Sequence, residues 1–175
     1  THTSESGAVE AVVGCKMTPI PSVHGKISAG ALSAYLTDMG SPHHSQPGLV
    51  ALTQSTEVAT VYTPEEIKAI VDVAHANGLF VHMDGARIAN AAVALGCDVR
   101  SFTKDLGVDM MSFGGTKNGM MMAESVVVFN KDFVRDFVTL RKQNLQLASK
   151  MRFLAAQYIA YFKDGLWPVS YTHLT

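Results

Sequence analysis

The sequence predicts an α/β fold in which helices pack on a mostly parallel sheet. Short apolar runs alternate with helix-like stretches, which is typical of parallel strands joined by helical crossovers. The apolar fraction is 47% and only 17% of the residues are charged, so the chain is globular and much of its surface is expected to be covered. The 175 residues are enough for one domain with a core that needs no disulfide or metal.

The apolar runs are the candidate strands. Their near-continuous apolar character indicates strands that are buried on both faces. The predicted strands are 9–15 or 17–20, then 49–55, 79–84, 109–113 and 125–130.

The clearest predicted helix covers residues 64–77. Thr63 is a natural N-cap, Pro64 suits the first helical position, and Glu66 completes a capping box. A buried stripe at helical spacing is formed by Ile67, Ile70, Val71 and Ala74. Further helices are predicted at 86–95, about 131–141 and about 145–163, and residues 40–48 are predicted to form a loop.

Charge and cysteine content limit the classes of function. Lysine and arginine number 14 and acidic residues 15, a net charge of −1 that argues against nucleic-acid and anionic-membrane binding. No apolar run approaches the length of a membrane span. Cys15 and Cys97 are too few for a disulfide framework, which favours a reducing cytoplasm and suggests two buried structural thiols.

Two segments carry candidate chemistry, 81–87 with Asp84 and 112–119 with Lys117. Each lies at the C-terminal end of a predicted strand, where open parallel sheets bind ligands. The 33 positions between Asp84 and Lys117 allow a helix and a return strand, so the two side chains are expected on neighbouring strand ends. Neither the phosphate-binding P-loop motif nor the Rossmann glycine motif is present.

Pyridoxal phosphate fits this pair of residues. Its aldehyde is held by a lysine amine, and its ring nitrogen is kept protonated by an Asp carboxylate. Lys117 is expected to lie among apolar walls that favour the neutral amine, because five of the nine methionines fall between Met110 and Met122. Gly114 and Gly115 let the backbone approach a flat ring.

These segments resemble the threonine aldolase family of pyridoxal-phosphate enzymes. The matching stretches are 5–8, 52–57, 82–87, 112–119 and 150–157, and the similarity extends to about Trp167. The resemblance implies a three-layer sandwich of the PLP-dependent transferase type (fold type I), of which this chain is an incomplete large domain. Residues 1–143 would be part of that domain, 144–167 a helix toward the small domain, and 168–175 a non-native tail, because they do not match the family helix.

The resemblance also implies roles for four side chains. Lys117 matches the lysine that binds the cofactor aldehyde, and Asp84 matches the partner of the ring nitrogen. Arg87 matches the arginine that holds the substrate carboxylate, and Arg152 matches an arginine in the cofactor region. The implied reaction cleaves L-threonine or a related β-hydroxy-α-amino acid to glycine and an aldehyde, in a homo-oligomeric enzyme.

Some family features are not matched. The ring-stacking histidine is expected roughly two positions before His2, so His2 is out of register, and the phosphate-binding loop would lie further upstream. Glu57 stands where some branches have a histidine. Another lyase or transaminase of this fold, or an inactive part with weak cofactor binding, therefore remains an alternative.

Three histidines invite other interpretations. His43 and His44 lack a third ligand at a suitable spacing, so they predict a solvated loop and no metal site. His82 shares a strand face with Asp84, and is interpreted as a packed histidine or as a partner of that carboxylate.

Overall fold

The computed structural model describes residues 5–167, with the side chain of Phe133 excepted. The strands are β1 (Leu49–Thr53), β2 (Phe80–Gly85), β3 (Met110–Gly114) and β4 (Glu124–Val128). The α-helices are α1 (Ala8–Val13), α2 (Ala29–Ala34), α3 (Pro64–Ala76), α4 (Ile88–Leu95), α5 (Phe137–Gln143) and α6 (Arg152–Phe162). Short 3₁₀ turns cover Lys104–Leu106, Thr116–Asn118, Lys131–Phe133 and Lys163–Gly165. Residues 168–175 and His2 lie outside the described part of the chain.

The four strands form one sheet in the order β1-β2-β3-β4. The first three strands are parallel, and β4 is antiparallel to β3. The predicted α/β class with a mostly parallel sheet is confirmed, and each strand from residue 49 onward lies within two residues of its predicted bounds. Parallel order brings the C-terminal ends of β1, β2 and β3 to the same edge of the sheet.

Helix α3 connects β1 to β2 and begins as the sequence predicts. The Thr63 hydroxyl accepts the Glu66 N–H and the Glu66 carboxylate accepts the Thr63 N–H, which completes the capping box. The Glu66 carboxylate also receives Lys26 Nζ at 2.7 Å. The stripe predicted to be buried is buried, so α3 presents it to the core.

The two faces of the sheet differ in burial. One face carries the buried side chains Val50, Leu52, Val81, Met83, Met111 and Phe113, which share the hydrophobic core with α3 and α4. The other face carries Ala51, His82, Asp84, Ser112 and Val126, which are half-buried or exposed. The prediction that the strands are buried on both faces is therefore wrong for residues 5–167, where the core is confined to one face.

Helix α6 packs at the C-terminal end of β3. The Phe113 ring lies 5.8 Å from the Tyr158 ring and 5.6 Å from the Phe162 ring, measured between centroids. Tyr158 Oη also donates to the Phe113 carbonyl at 3.2 Å. These aromatic contacts fix α6 beside the turn that follows β3.

The ends of the described chain depart from the sequence predictions. No strand forms at 9–15 or 17–20, because residues 8–13 form α1 between two glycines, Gly7 and Gly14, that both adopt φ of 71°. No residue of α1 is buried, and Cys15 is exposed, so its prediction as a buried thiol is wrong. Cys97 is half-buried against the core.

The predicted helix at 145–163 is also shorter than expected. Leu145 and Lys150 have φ values of 60° and 61°, which interrupt a helix, and α6 begins only at Arg152. The helix predicted near 131–141 divides into the turn Lys131–Phe133 and α5. Residues 41–48 form the predicted loop without helix or strand, with His43 and His44 exposed.

Within residues 5–167 the longest α-helix has 13 residues, and none of the helices has the length and apolar character needed to cross a bilayer.

Candidate active site

Asp84 and Lys117 lie at the same edge of the sheet. Asp84 is the penultimate residue of β2 and pairs in register with Ser112 of β3. Lys117 lies three residues beyond the end of β3, in the 3₁₀ turn Thr116–Asn118. The prediction that the two motifs lie at the ends of neighbouring strands is confirmed.

The Asp84 carboxylate is oriented by the backbone that follows it. Asp84 is half-buried, and its Oδ1 accepts the N–H of Ala86 at 2.9 Å. Among the described residues no hydrogen bond to Oδ2 is formed, so one carboxylate oxygen is available. The helix that follows begins at Ile88, with Arg87 at its N-cap, so Asp84 does not cap it.

The Lys117 side chain is exposed, and it forms no ion pair within residues 5–167. The predicted apolar walls are absent there, since Met121 is 87% exposed and Met122 62% exposed. The expectation of a methionine-lined, buried lysine is therefore wrong for this part of the chain. Met111 and Met120 are buried in the core instead.

An unpaired amine and an available carboxylate oxygen at one sheet edge fit the cofactor that the sequence suggests. Pyridoxal phosphate offers an aldehyde to an amine and a ring nitrogen to a carboxylate. The half-exposed sheet face around Asp84 leaves this oxygen accessible, and Lys117 is free of competing partners among the described residues. The donor set therefore matches the group.

The Lys117 turn is fixed by backbone contacts. Gly115 N–H donates to the Ala123 carbonyl at 2.7 Å, and Thr116 N–H donates to Glu124 Oε1 at 3.3 Å. A Cβ on Gly114 would lie 2.8 Å from Ala86 Cα, and one on Gly115 would lie 2.5 Å from the Ala123 oxygen. The glycines thus serve close packing of the turn on its neighbours.

His82 bonds to Ser112 on the sheet face that carries Asp84. His82 Nε2 lies 2.9 Å from Ser112 Oγ. Burial lowers the pKa of His82, and the nearby Asp84 charge opposes this shift. His82 is thus a partly buried ring that is hydrogen-bonded to a neighbouring hydroxyl, and within residues 5–167 no hydrogen bond joins it to Asp84.

The two candidate arginines differ in position. Arg87 is half-buried directly after β2, and its guanidinium forms no ion pair among residues 5–167. Arg152 is exposed at the start of α6, with its guanidinium carbon 4.7 Å from the centroid of the Phe153 ring. Arg87 is close in the chain to Asp84, whereas Arg152 makes its observed contact within α6.

Two polar side chains around the turn had no predicted role. Gln157 of α6 accepts the N–H groups of Met121 and Met122 and donates to the Met122 carbonyl at 3.0 Å. Asn118 is completely buried and bonds to backbone on both sides of the site. Both residues lie in stretches that carry the family resemblance, which was the only sequence signal for them.

Comparisons with known proteins identify the family of the chain. Residues 1–175 match the beta-eliminating lyase family. A low-specificity L-threonine aldolase of Pseudomonas aeruginosa is 43% identical over 167 residues, which are 95% of this chain and 48% of the relative. The chain thus spans about half the length of the curated relatives it matches.

Solved structures of threonine aldolases are also similar to this chain. A threonine aldolase of Leishmania major superposes with a TM-score of 0.88 at 32% identity, covering 95% of this chain and 48% of that one. A protein described as a putative L-allo-threonine aldolase, from Listeria monocytogenes, superposes with a TM-score of 0.69 at 15% identity, covering 97% and 46%, and supports the fold alone.

Proposed function

The chain belongs to the beta-eliminating lyase family, and from this premise we propose that it is part of a pyridoxal-phosphate aldolase. The substrate would be L-threonine or a related β-hydroxy-α-amino acid, cleaved to glycine and an aldehyde. The observation that carries the proposal is the position of Asp84 and Lys117 at the same edge of the sheet, in a chain 43% identical to a low-specificity L-threonine aldolase. As in other enzymes of this class, the partners would be small amino acids and further copies of the chain, in the cytoplasm.

The bound cofactor would supply an electron-withdrawing ring that accepts the electrons of the broken Cα–Cβ bond. Lys117 would hold its aldehyde and Asp84 its ring nitrogen, with Arg152 in the cofactor region. Asp84 suits its role because the Ala86 N–H fixes Oδ1 and leaves Oδ2 to accept a ring N–H. An ionised carboxylate at that position keeps the ring proton in place.

Arg87 would hold the substrate carboxylate. A planar guanidinium binds both oxygens of a carboxylate at once, which orients the amino acid as well as attracting it. Arg87 follows Asp84 by three residues, across the turn that joins β2 to α4. Lys117 would act as the amine that the substrate displaces, and its exposed position leaves it accessible for that exchange.

The test uses a chimera in which this chain replaces the matching residues of the Pseudomonas aeruginosa relative. The chimera is expected to release glycine and acetaldehyde from L-threonine. Lys117→Ala should abolish this activity, and Asp84→Asn should reduce kcat by about 10²–10³-fold through loss of a fixed charge. Arg87→Lys should raise KM by roughly tenfold, because it loses bidentate binding.

The matched control is Lys104→Ala, which removes an exposed lysine from the turn Lys104–Leu106 and should leave the activity unchanged. Transfer of the amino group to a keto acid without aldehyde release would identify another enzyme of the same fold. Full aldolase activity in Lys117→Ala would refute the assignment of the lysine.

A further inference from the structure

The side chain of Asn118 connects the two motifs of the site. Asn118 follows Lys117 directly and has no exposed surface. Its Nδ2 donates to the Gly114 carbonyl and, at 3.3 Å, to the Ala86 carbonyl. Because both neighbours are carbonyl oxygens, the amide nitrogen must face them. One carboxamide therefore joins the turn that carries Lys117 to the segment that follows Asp84.

The backbone around Asn118 is closely packed, so the Asn118 position suits a small side chain that donates hydrogen bonds. Gly114 approaches Ala86 so closely that a Cβ there would lie 2.8 Å from the Ala86 Cα. Asn118 is itself held by its backbone N–H, which donates to the Gly115 carbonyl at 2.9 Å. The Asn118 side chain is thereby directed into the protein while that of its neighbour Lys117 is exposed.

We propose that Asn118 is a positioning residue for Lys117, whose carboxamide fixes the turn Thr116–Asn118 against Ala86 and so sets the place of the amine relative to the Asp84 carboxylate. The inference rests on the proposed function in one respect, that Lys117 and Asp84 hold the same cofactor. Asn118 acts through Lys117 and touches neither cofactor nor substrate. Correct placement matters because displacement of a reacting group by about 1 Å can reduce a rate by about 10²-fold.

The variants separate the hydrogen bonds from the packing. Asn118→Leu has a similar size without donors, Asn118→Ala removes both, and Asn118→Ser keeps one donor on a shorter side chain. The matched control is Asn130→Ala, since Asn130 donates to Asp109 Oδ1 at 2.7 Å and accepts the Asp132 N–H near the N-terminal end of β3. That end lies opposite to the edge with Lys117.

Two measurements are made on the chain. Amide hydrogen exchange over residues 114–120 reports how firmly the turn is held, without cofactor. Reaction with pyridoxal phosphate, borohydride reduction and peptide mapping then report how readily the Lys117 amine bonds to the aldehyde, with loss of water. A purely structural role would change global exchange but not the adduct yield of the folded protein.

Asn118→Ala and Asn118→Leu are expected to accelerate exchange over 114–120 by at least about tenfold and to reduce the adduct on Lys117 by a similar factor. Asn118→Ser should fall between these and the wild-type chain, and it decides the case if the other two variants unfold. Asn130→Ala should leave both signals at Lys117 unchanged.

Exchange and adduct yield within twofold of wild type in Asn118→Ala and Asn118→Leu would overturn the inference. A wild-type chain that forms no adduct on Lys117 would instead contradict the proposed function. In that case accelerated exchange in the variants still supports the fixing of the turn by Asn118, and unchanged exchange refutes it.

Discussion

The surroundings of His82 on the half-exposed sheet face lower the pKa of its side chain. Burial lowers its pKa although the Asp84 charge acts in the opposite direction, and Ser112 supplies a neutral partner at 2.9 Å. A neutral imidazole leaves the negative charge of Asp84 without a cationic neighbour at this position. The imidazole therefore does not compete with a ring nitrogen as an ion-pair partner of this carboxylate.

This arrangement predicts that His82 makes the fold sensitive to acid. The folded pKa of His82 lies below its usual value of 6.5, so below pH 6.5 the unfolded chain binds more protons than the folded one. The free energy of unfolding should therefore fall as the pH drops from 6.5 to the folded pKa, by up to about 1.4 kcal/mol per pH unit. His82→Phe should remove this component, as measured by urea unfolding at pH 7.5 and 5.5.

His43→Phe is the control, because His43 is exposed in the loop 41–48. It should leave the pH dependence of unfolding as in the wild-type chain. An identical pH dependence in His82→Phe and wild type would show that His82 titrates alike in both states and would refute the assignment.

Individual side chains differ in how far the sequence predicts them. The places of Asp84 and Lys117 at neighbouring strand ends could be predicted, because each sits in a distinctive motif that follows an apolar run. Asn118 and Gln157 could not be assigned a role, because their contacts join residues 32 to 36 positions apart and depend on the packing of separate elements. The exposure of Lys117 could not be predicted either, because the methionines that are near it in sequence do not cover it in the structure.

Asp109 directly precedes β3 and joins it to α3, to β2 and to Asn130 at the end of the sheet opposite to the candidate site. Its Oδ2 accepts the Val81 N–H at 2.8 Å and contacts His75 Nε2 at 2.9 Å, while Oδ1 accepts from Asn130. Burial alone would raise the pKa of Asp109, but the hydrogen bonds from Asn130, His75 and Val81 outweigh it and hold the pKa below its usual value. The carboxylate thus fixes α3 and the starts of β2 and β3.

Asp109→Asn is expected to destabilise the fold by about 2–4 kcal/mol in urea unfolding, because an amide cannot satisfy all three donors and its NH₂ group would oppose one of them. This loss should shrink in acid, as the pH falls through the low folded pKa and the wild-type carboxylate is protonated. Asp105→Asn, at the exposed pair with Arg100, is the control and should cost several times less. Equal losses in the two variants would contradict the account.

Elements with strong local signals were predictable from sequence, and those without them were not. Helix α3 has a capping box, a proline at its start and a clear apolar stripe, and its bounds agree within one residue. Helix α1 has no buried residue and therefore no apolar stripe at helical spacing, and its short apolar run was predicted as a strand. The late start of α6 follows from positive φ values at Leu145 and Lys150. These could not be predicted, because neither position is a glycine and no proline marks the interruption.

The molecule as a whole has a one-sided core. Helices α3 and α4 cover one face of the sheet, while the face with His82, Asp84 and Ser112 stays half-exposed in the described chain. The α/β class could be predicted from alternating apolar and helical segments, but the one-sided burial could not, because apolar composition alone does not say which surfaces meet. This face is also where the proposed cofactor would bind.

The proposed roles of Lys117 and Asp84 can be tested together by identifying the lysine that pyridoxal phosphate modifies. The chain is incubated with the cofactor, reduced with borohydride and analysed by peptide mapping, with Asp84→Asn as a companion variant. We expect one dominant adduct on Lys117 that is strongly reduced in Asp84→Asn. An adduct spread over exposed lysines such as Lys68 and Lys104, with no preference for Lys117 and no effect of Asp84→Asn, would contradict the proposed roles.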